Sequence, residues 1–326
     1  MTNLKRITFR LLIAASTVWL SLLLFTSCRD NQATNKIETG HVSEEALHQG
    51  ISDSTWLNTH SKVVIITGTA SGFGRATAEK LIAKGHIVYG GDIDTEGNKY
   101  LNEIGGTALE MDVRNDAQVQ AGVQRVLEEQ GRIDVLINNA GYGEYATIEN
   151  IKIEDLKNQF DVNLFGYARL QQAVLPTMRK QRSGRIILLS SGLGKFSMPI
   201  LGWYAASKHA TEGMADALRL EVNRFNIDVV KIQPGATNTN FGKTAYERLA
   251  QSHVPEDYKQ MVADFKTSLD ATFAKAGGPE ETAHVIVEAV ETPEPEIAYV
   301  TMEDSKYMLE KRKRMNEKAF YDMLSN

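Results

Sequence analysis

From Lys62 onward the chain is a succession of short β-branched apolar runs, each separated from the next by a stretch of helical periodicity. The runs are KVVIITG, HIVYGGD, TALEMDV, IDVLINNAG, RIILLSS, IDVVKIQPG and EIAYVT. Seven runs in this alternation predict an α/β fold, a doubly wound, seven-stranded parallel sheet with helices on both faces. Most of the runs are apolar throughout, the pattern of strands buried on both sides. Ligands of such sheets bind outside the carboxyl ends of the strands, so chemistry is expected there.

One α/β unit of about 250 residues with extensions accounts for a chain of this length. The expected boundaries are a signal or anchor over 1–28, a polar tether over 29–61, the Rossmann-type domain over 62–301 with an insert at 236–278, and a helical extension over 302–326. Hydrophobic residues make up 42% and charged residues 24%, values that argue against a disordered chain or a multi-pass membrane protein. A net charge of -5 leaves no broad footprint for nucleic acid. The basic run Lys311 to Arg314, flanked by Glu310 and Glu317, reads as a solvated helix face. A single cysteine and seven histidines without HExxH spacing give no internal disulfide and no expected metal site.

Lys5, Arg6 and Arg10 precede the apolar run Leu11 to Ser27, the order of a secretory signal. The run is short for a comfortable membrane span. The boundary FTSC resembles the lipobox of bacterial lipoproteins, although Phe25 replaces the usual aliphatic residue. The resemblance implies acylation at Cys28 and a lipoprotein anchored to a membrane, facing outside the cytoplasm. The alternatives are an uncleaved N-terminal anchor, an ordinary signal or a misassigned start.

TGTASGFG places Gly68, Gly72 and Gly74 between the first strand and a helix expected to begin at about Arg75. Glycines there permit a tight turn and close approach of backbone N–H groups to a pyrophosphate at the helix N-terminus. The spacing differs from G-x-G-x-x-G. The second strand ends at Asp92, where a carboxylate can accept hydrogen bonds from an adenosine ribose and repel a 2'-phosphate. NAD is therefore favoured over NADP, with Asp94 able to share the role and Arg75 able to accommodate NADP in part.

WYAASKHA sets Tyr204 and Lys208 four apart on one helix face. A nearby ammonium is expected to lower the phenol's pKa and make Tyr204 a usable proton donor and acceptor. Upstream, LLSSG ends the fifth strand with Ser190 and Ser191. With NNAG (Asn138 to Gly141) and PGATNT (Pro234 to Thr239), these motifs over about residues 61–301 resemble the short-chain dehydrogenase/reductase family. The segment from Tyr204 to Phe241 is most similar to its steroid- and retinol-dehydrogenase-like branch.

The resemblance implies that Tyr204 is the acid/base, Lys208 tunes it and holds the nicotinamide ribose, and Ser191 bonds the substrate oxygen. Asn163 in FDVNLFG would help order a proton-relay water with Lys208. Cofactor contacts would fall on Thr67, Gly68, Ser71, Gly72, Phe73, Gly74, Asp92, Asp112, Val113, Asn139, Ala140, Gly141, Tyr204, Lys208, Pro234, Gly235 and Thr239. Asp112 would meet the adenine and Thr239 the carboxamide. Thr237 reads as a loop residue. A homo-oligomer would form through helices at about Glu154 to Gln181 and Trp203 to Phe225.

The resemblance makes the insert at 236–278 the substrate lid, and its Phe241, Tyr246, Leu249, Met261, Phe265 and Leu269 suit a small apolar alcohol or ketone better than an anion. The resulting expectation is an NAD-dependent alcohol dehydrogenase or ketoreductase. A dinucleotide-binding protein without turnover and a membrane-tethered interaction scaffold are the alternatives.

Overall fold

The computed structural model describes residues 61–251 and 253–325. Cys28, the signal-like run and the tether up to residue 60 lie outside the described residues. Among the described residues, no helix is long and apolar enough to cross a membrane.

The seven strands are β1 (Val63–Thr67), β2 (Ile87–Asp92), β3 (Thr107–Glu110), β4 (Val135–Asn138), β5 (Gly184–Leu189), β6 (Ile227–Gln233) and β7 (Ala298–Val300). They form one sheet in the order β3-β2-β1-β4-β5-β6-β7, with every neighbouring pair parallel. The chain moves outward from β1 to β3 and then returns to place β4 on the other side of β1. That reversal opens a crevice beyond the carboxyl ends of β1 and β4.

The strand pleat divides the core between two faces. Val63 and Ile65 of β1 join one buried cluster, whereas Val64 and Ile66 join the other. On the first face lie α3 (Asp116–Gln130), α5 (Gly166–Gln181) and α6 (Gly202–Val222), contributing Val119, Leu170 and Leu218. On the second lie α1 (Gly72–Ala83), the short α2 (Tyr100–Glu103) and α9 (Glu280–Glu291), contributing Leu81, Leu101 and Ile286. Each such side chain contributes about 1.5–3 kcal/mol on burial.

Two cations secure the end of α9. The fully buried Arg185 donates through Nη1 to the carbonyls of Ala289 and Thr292, each at 2.7 Å, and pairs with Asp228 at 2.7 Å. Lys62 Nζ donates to the Val290 carbonyl at 2.6 Å. Positive charge at a helix C-terminus complements both the orphan carbonyls and the macrodipole.

Helix boundaries differ from the sequence expectation in two informative places. α1 begins at Gly72, not Arg75, so Gly72, Phe73 and Gly74 form its first turn. The helix expected from Glu154 to Gln181 is interrupted: α4 (Ile153–Phe160) runs into a π-helical turn, Asp161–Phe165, before α5. Asn163 sits in that turn, where a widened backbone is a recurrent mark of functional sites. Two lid helices follow β6, α7 (Asn240–Gln251) and α8 (Lys259–Phe273). The extension forms α10 (Glu303–Arg314) and α11 (Glu317–Ser325), in one compact unit with the rest of the described chain.

Candidate active site

One cavity of ≈ 960 Å³ lies across the carboxyl ends of the strands. All the candidate residues line it except Thr67, Gly74 and Asn163. Those three shape the cavity from behind.

The glycine loop is held by its neighbours. Gly68 and Gly72 have φ of +74° and +56°, a region in which side chains are strained. A Cβ on Gly74 would lie 2.0 Å from the Gly68 carbonyl oxygen. Thr67 Oγ1 accepts from the backbone N–H groups of Asn139 and Ala140, at 3.1 and 3.0 Å. Asn139 Nδ2 donates to the Thr67 and Gly68 carbonyls at 2.8 and 3.1 Å. These bonds tie the ends of β1 and β4 together.

A dinucleotide fits this arrangement. Ser71 makes no side-chain cap at the start of α1, leaving the helix N-terminus facing the cavity as a natural anion site. A Cβ on Gly72 would enter the gap toward Thr239, 3.8 Å away. At the far end, Asp92 accepts from the N–H groups of Ala70 and Asp94, both at 2.9 Å. Arg75 does not line the cavity; it pairs with Glu79 at 2.9 Å and lies 4.0 Å over the Tyr100 ring. Asp112 is paired with Arg114 at 2.7 Å, and that guanidinium holds its carboxyl below the usual range.

At the middle of the cavity Tyr204 and Lys208 project from the first turns of α6, with Ser191 just beyond β5. Ser191 Oγ accepts from the Leu193 N–H at 3.1 Å and lies 3.5 Å from the Pro234 carbonyl. The expected acidification of Tyr204 by Lys208 is absent. Burial raises the phenol's pKa and the Ser191 hydroxyl offsets part of the shift. Lys208 Nζ is 5.8 Å from the Tyr204 ring centre and donates to the Leu189 carbonyl at 2.7 Å. Burial pushes Lys208 itself down to about 7, opposed by Glu212. Desolvation disfavours the charged form of both groups.

Asn163 is fully buried. Its Nδ2 donates to the Tyr142 carbonyl at 2.8 Å and to Ser207 Oγ at 3.1 Å, while its Oδ1 accepts from the Tyr142 N–H at 3.0 Å. The side chain thus locks the loop after β4 to α6.

Several participants carry no motif. Glu212, one turn beyond Lys208, is buried against Lys195 at 2.8 Å, Lys231 at 3.1 Å and Gln233 at 2.8 Å. Burial raises its pKa, but Lys195, Ser190, Gln233 and Lys231 together hold it below the usual value. From the lid, Arg248 pairs with buried Glu144 and stands 4.8 Å over the Tyr142 ring. Phe241 packs 5.4 Å from Tyr204, and Phe265 packs 6.1 Å from Tyr145. Phe241 and Phe265 stood among the apolar lid residues of the sequence; of the others, only Glu212 offered a signal, four residues beyond Lys208 on the Tyr204 helix. No group of metal-ligating side chains occurs among the described residues.

A glycine-lined crevice at the switch point of a parallel sheet, opening on a Ser-Tyr-Lys cluster, defines a dinucleotide-dependent oxidoreductase. Residues 62–250 match the family model described as short chain dehydrogenase, and the chain belongs to the short-chain dehydrogenase/reductase family. It is 45% identical over 181 residues to a 3-ketodihydrosphingosine reductase of Bacteroides thetaiotaomicron, a match spanning 55% of this chain and 65% of that protein. Over 249 residues it is 32% identical to an NADPH-dependent 3-dehydrocapnine reductase of Ornithobacterium rhinotracheale, covering 73% and 87%. A Burkholderia phymatum family member solved with NAD has a TM-score of 0.67 at 26% identity, covering 78% of this chain and 94% of that one. The protein is an NAD(P)-dependent oxidoreductase of this family.

Proposed function

We propose that the protein transfers hydride between NAD(H) and an apolar, long-chain secondary alcohol or ketone, with Tyr204 as acid/base. The observation that carries this reading is the position of Ser191, Tyr204 and Lys208 between a glycine-lined cradle and a wall of lid side chains. The relative named for 3-ketodihydrosphingosine, a long-chain amino alcohol bearing a ketone, supports the substrate class.

The bound nicotinamide supplies or accepts the hydride. In reduction, the Tyr204 hydroxyl donates a proton to the substrate oxygen, and Ser191 Oγ donates a hydrogen bond to the same atom as negative charge grows there. Lys208 holds the ribose and returns a proton toward Tyr204. The Asn163 lock keeps the loop over this path in place. Asp92 favours NAD(H), because a 2'-phosphate would meet its carboxylate while Arg75 is engaged with Glu79 and Tyr100.

Two further parts belong to the same reading. Acylated Cys28 tethers the domain to a membrane; a Cys28→Ala protein that still partitions with membranes after signal processing would remove that assignment. Two copies associate through α4, α5 and α6, whose Ile153 and Leu220, with Phe165 of the π-helical turn, are exposed. Sedimentation of Leu220→Glu as a smaller species than the parent is expected.

The central test follows NADH and NADPH absorbance with long-chain ketones. Tyr204→Phe is expected to lose turnover by about 10²–10⁴-fold with unchanged NADH binding by fluorescence. Parent-like turnover in that variant would refute the role of Tyr204.

A further inference from the structure

The family match ends at residue 250, yet the cavity is lined beyond it by Asp304, Ser305 and Met308 of α10 and by Leu324 of α11. The fit of α10 against the strand ends is close. Asp304 accepts from the Ala236 N–H at 2.8 Å, and Ser305 donates to the Gln233 carbonyl at 3.3 Å. A Cβ on Gly235 would lie 2.0 Å from Asp304 Oδ1, and one on Gly192 would lie 2.4 Å from Ser305 Oγ. The glycines of the SSG and PGA motifs therefore make room for α10.

The pair is anchored by its own buried cluster. Phe320 is fully buried, packs edge-on against Phe196 at 5.7 Å and shares a cluster with Leu309. Leu193 and Met198, from the loop after β5, pack against both this cluster and the lid cluster. The loop that follows Ser191 is therefore held between lid and extension. Met198, Met308, Leu193 and Leu324 present unbranched or aliphatic surface without hydrogen-bonding groups, and thioethers adapt to flexible chains.

We propose that α10 and α11 form the end wall of the substrate half of the cavity, with Met308 and Leu324 setting the length of hydrocarbon chain admitted. The proposal rests on the ketone-oxidoreductase reading above and names the class of substrate it takes, a linear aliphatic ketone. Each methylene buried against the wall is worth about a fourfold factor in affinity.

The experiment uses the full chain and a homologous series of straight-chain methyl ketones, read in two ways: kcat/KM with NADH, and displacement of a fluorescent fatty-chain probe. Met308→Phe and Leu324→Phe fill the end of the cavity. They are expected to weaken the longest ketones by about tenfold or more, leave the shortest unchanged and keep NADH affinity. Met308→Ala is expected to move the optimum to longer chains. Equal effects at every chain length, or none, would overturn the proposal. If the parent reduces no ketone but the variants still shift the length dependence of probe displacement, the wall stands and the assigned reaction falls. If the parent binds no ketone of the series, the wall assignment falls too.

Discussion

The two halves of the cavity are made of different material. The dinucleotide half is main chain: two glycines at positive φ, a third against which no Cβ fits, and strand ends cross-bonded by Thr67 and Asn139. The substrate half is side chain, drawn from α7, α8, α10, α11 and the loop after β5. A main-chain surface tolerates few residues at its critical positions, whereas an aliphatic wall can be built from many combinations of equal volume.

That contrast can be broken most sharply at Gly74. Gly74→Ala forces a methyl group onto the Gly68 carbonyl, with an expected cost of about 1–3 kcal/mol and a large loss of NADH affinity. Leu269→Met, in the other half, should cost under about 1.5 kcal/mol and leave NADH binding intact. Thermal melts and fluorescence titrations of both variants measure this, and NADH affinity kept in Gly74→Ala would defeat the main-chain explanation.

A smaller effect is expected at Asp92. Asp92→Asn retains an oxygen for the Ala70 N–H but removes the charge. NADH affinity should fall about tenfold, the value of one charge-assisted hydrogen bond, while NADPH affinity rises relative to it. An unchanged NADH/NADPH ratio would show that selection lies elsewhere.

A pH-dependent effect is expected at Lys208, where the halves meet. Its folded pKa of about 7 lies below the ordinary lysine value of 10.5, so between these values the unfolded chain binds more protons and stability rises with pH. Below pH about 7 the burial penalty is present in full; above about 10.5 it is gone. The melting temperature of apoprotein Lys208→Met should therefore exceed that of the parent most in acid, with the gap closing across this window. Glu212→Gln removes the charge that opposes burial and should move the window to lower pH. A gap independent of pH would mean that Lys208 keeps an ordinary pKa in the fold.

Legibility in the sequence follows the same division. Strands β1, β2, β4, β5 and β6 were readable because runs buried on both sides cannot alternate, and the glycine loop because its backbone excludes side chains. Ser191, Tyr204 and Lys208 were legible through the resemblance of their motifs to those of the family, and all three line the cavity. The raised pKa of the Tyr204 phenol was not, because burial of Tyr204 and Lys208 is a property of packing. Nor were Arg248 with Glu144, 104 residues apart, or Met308 and Leu324, whose role arises only when α10 seats against Gly192 and Gly235. The π-helical turn at Asn163 spans only five residues, too few to establish a period of its own in the sequence, so it too was hidden.

The cations at the end of α9 have a consequence for how the molecule is made. Lys62, at the entrance to the first strand, bonds a carbonyl 228 residues later, and Arg185 reaches carbonyls more than 100 residues ahead. Contacts this distant in sequence repay their closure entropy only when both ends exist. A growing chain that stops short of α9 lacks the helix that packs against α1 and β5, and β7 follows it in sequence, so the sheet is completed only after most of the polypeptide has emerged.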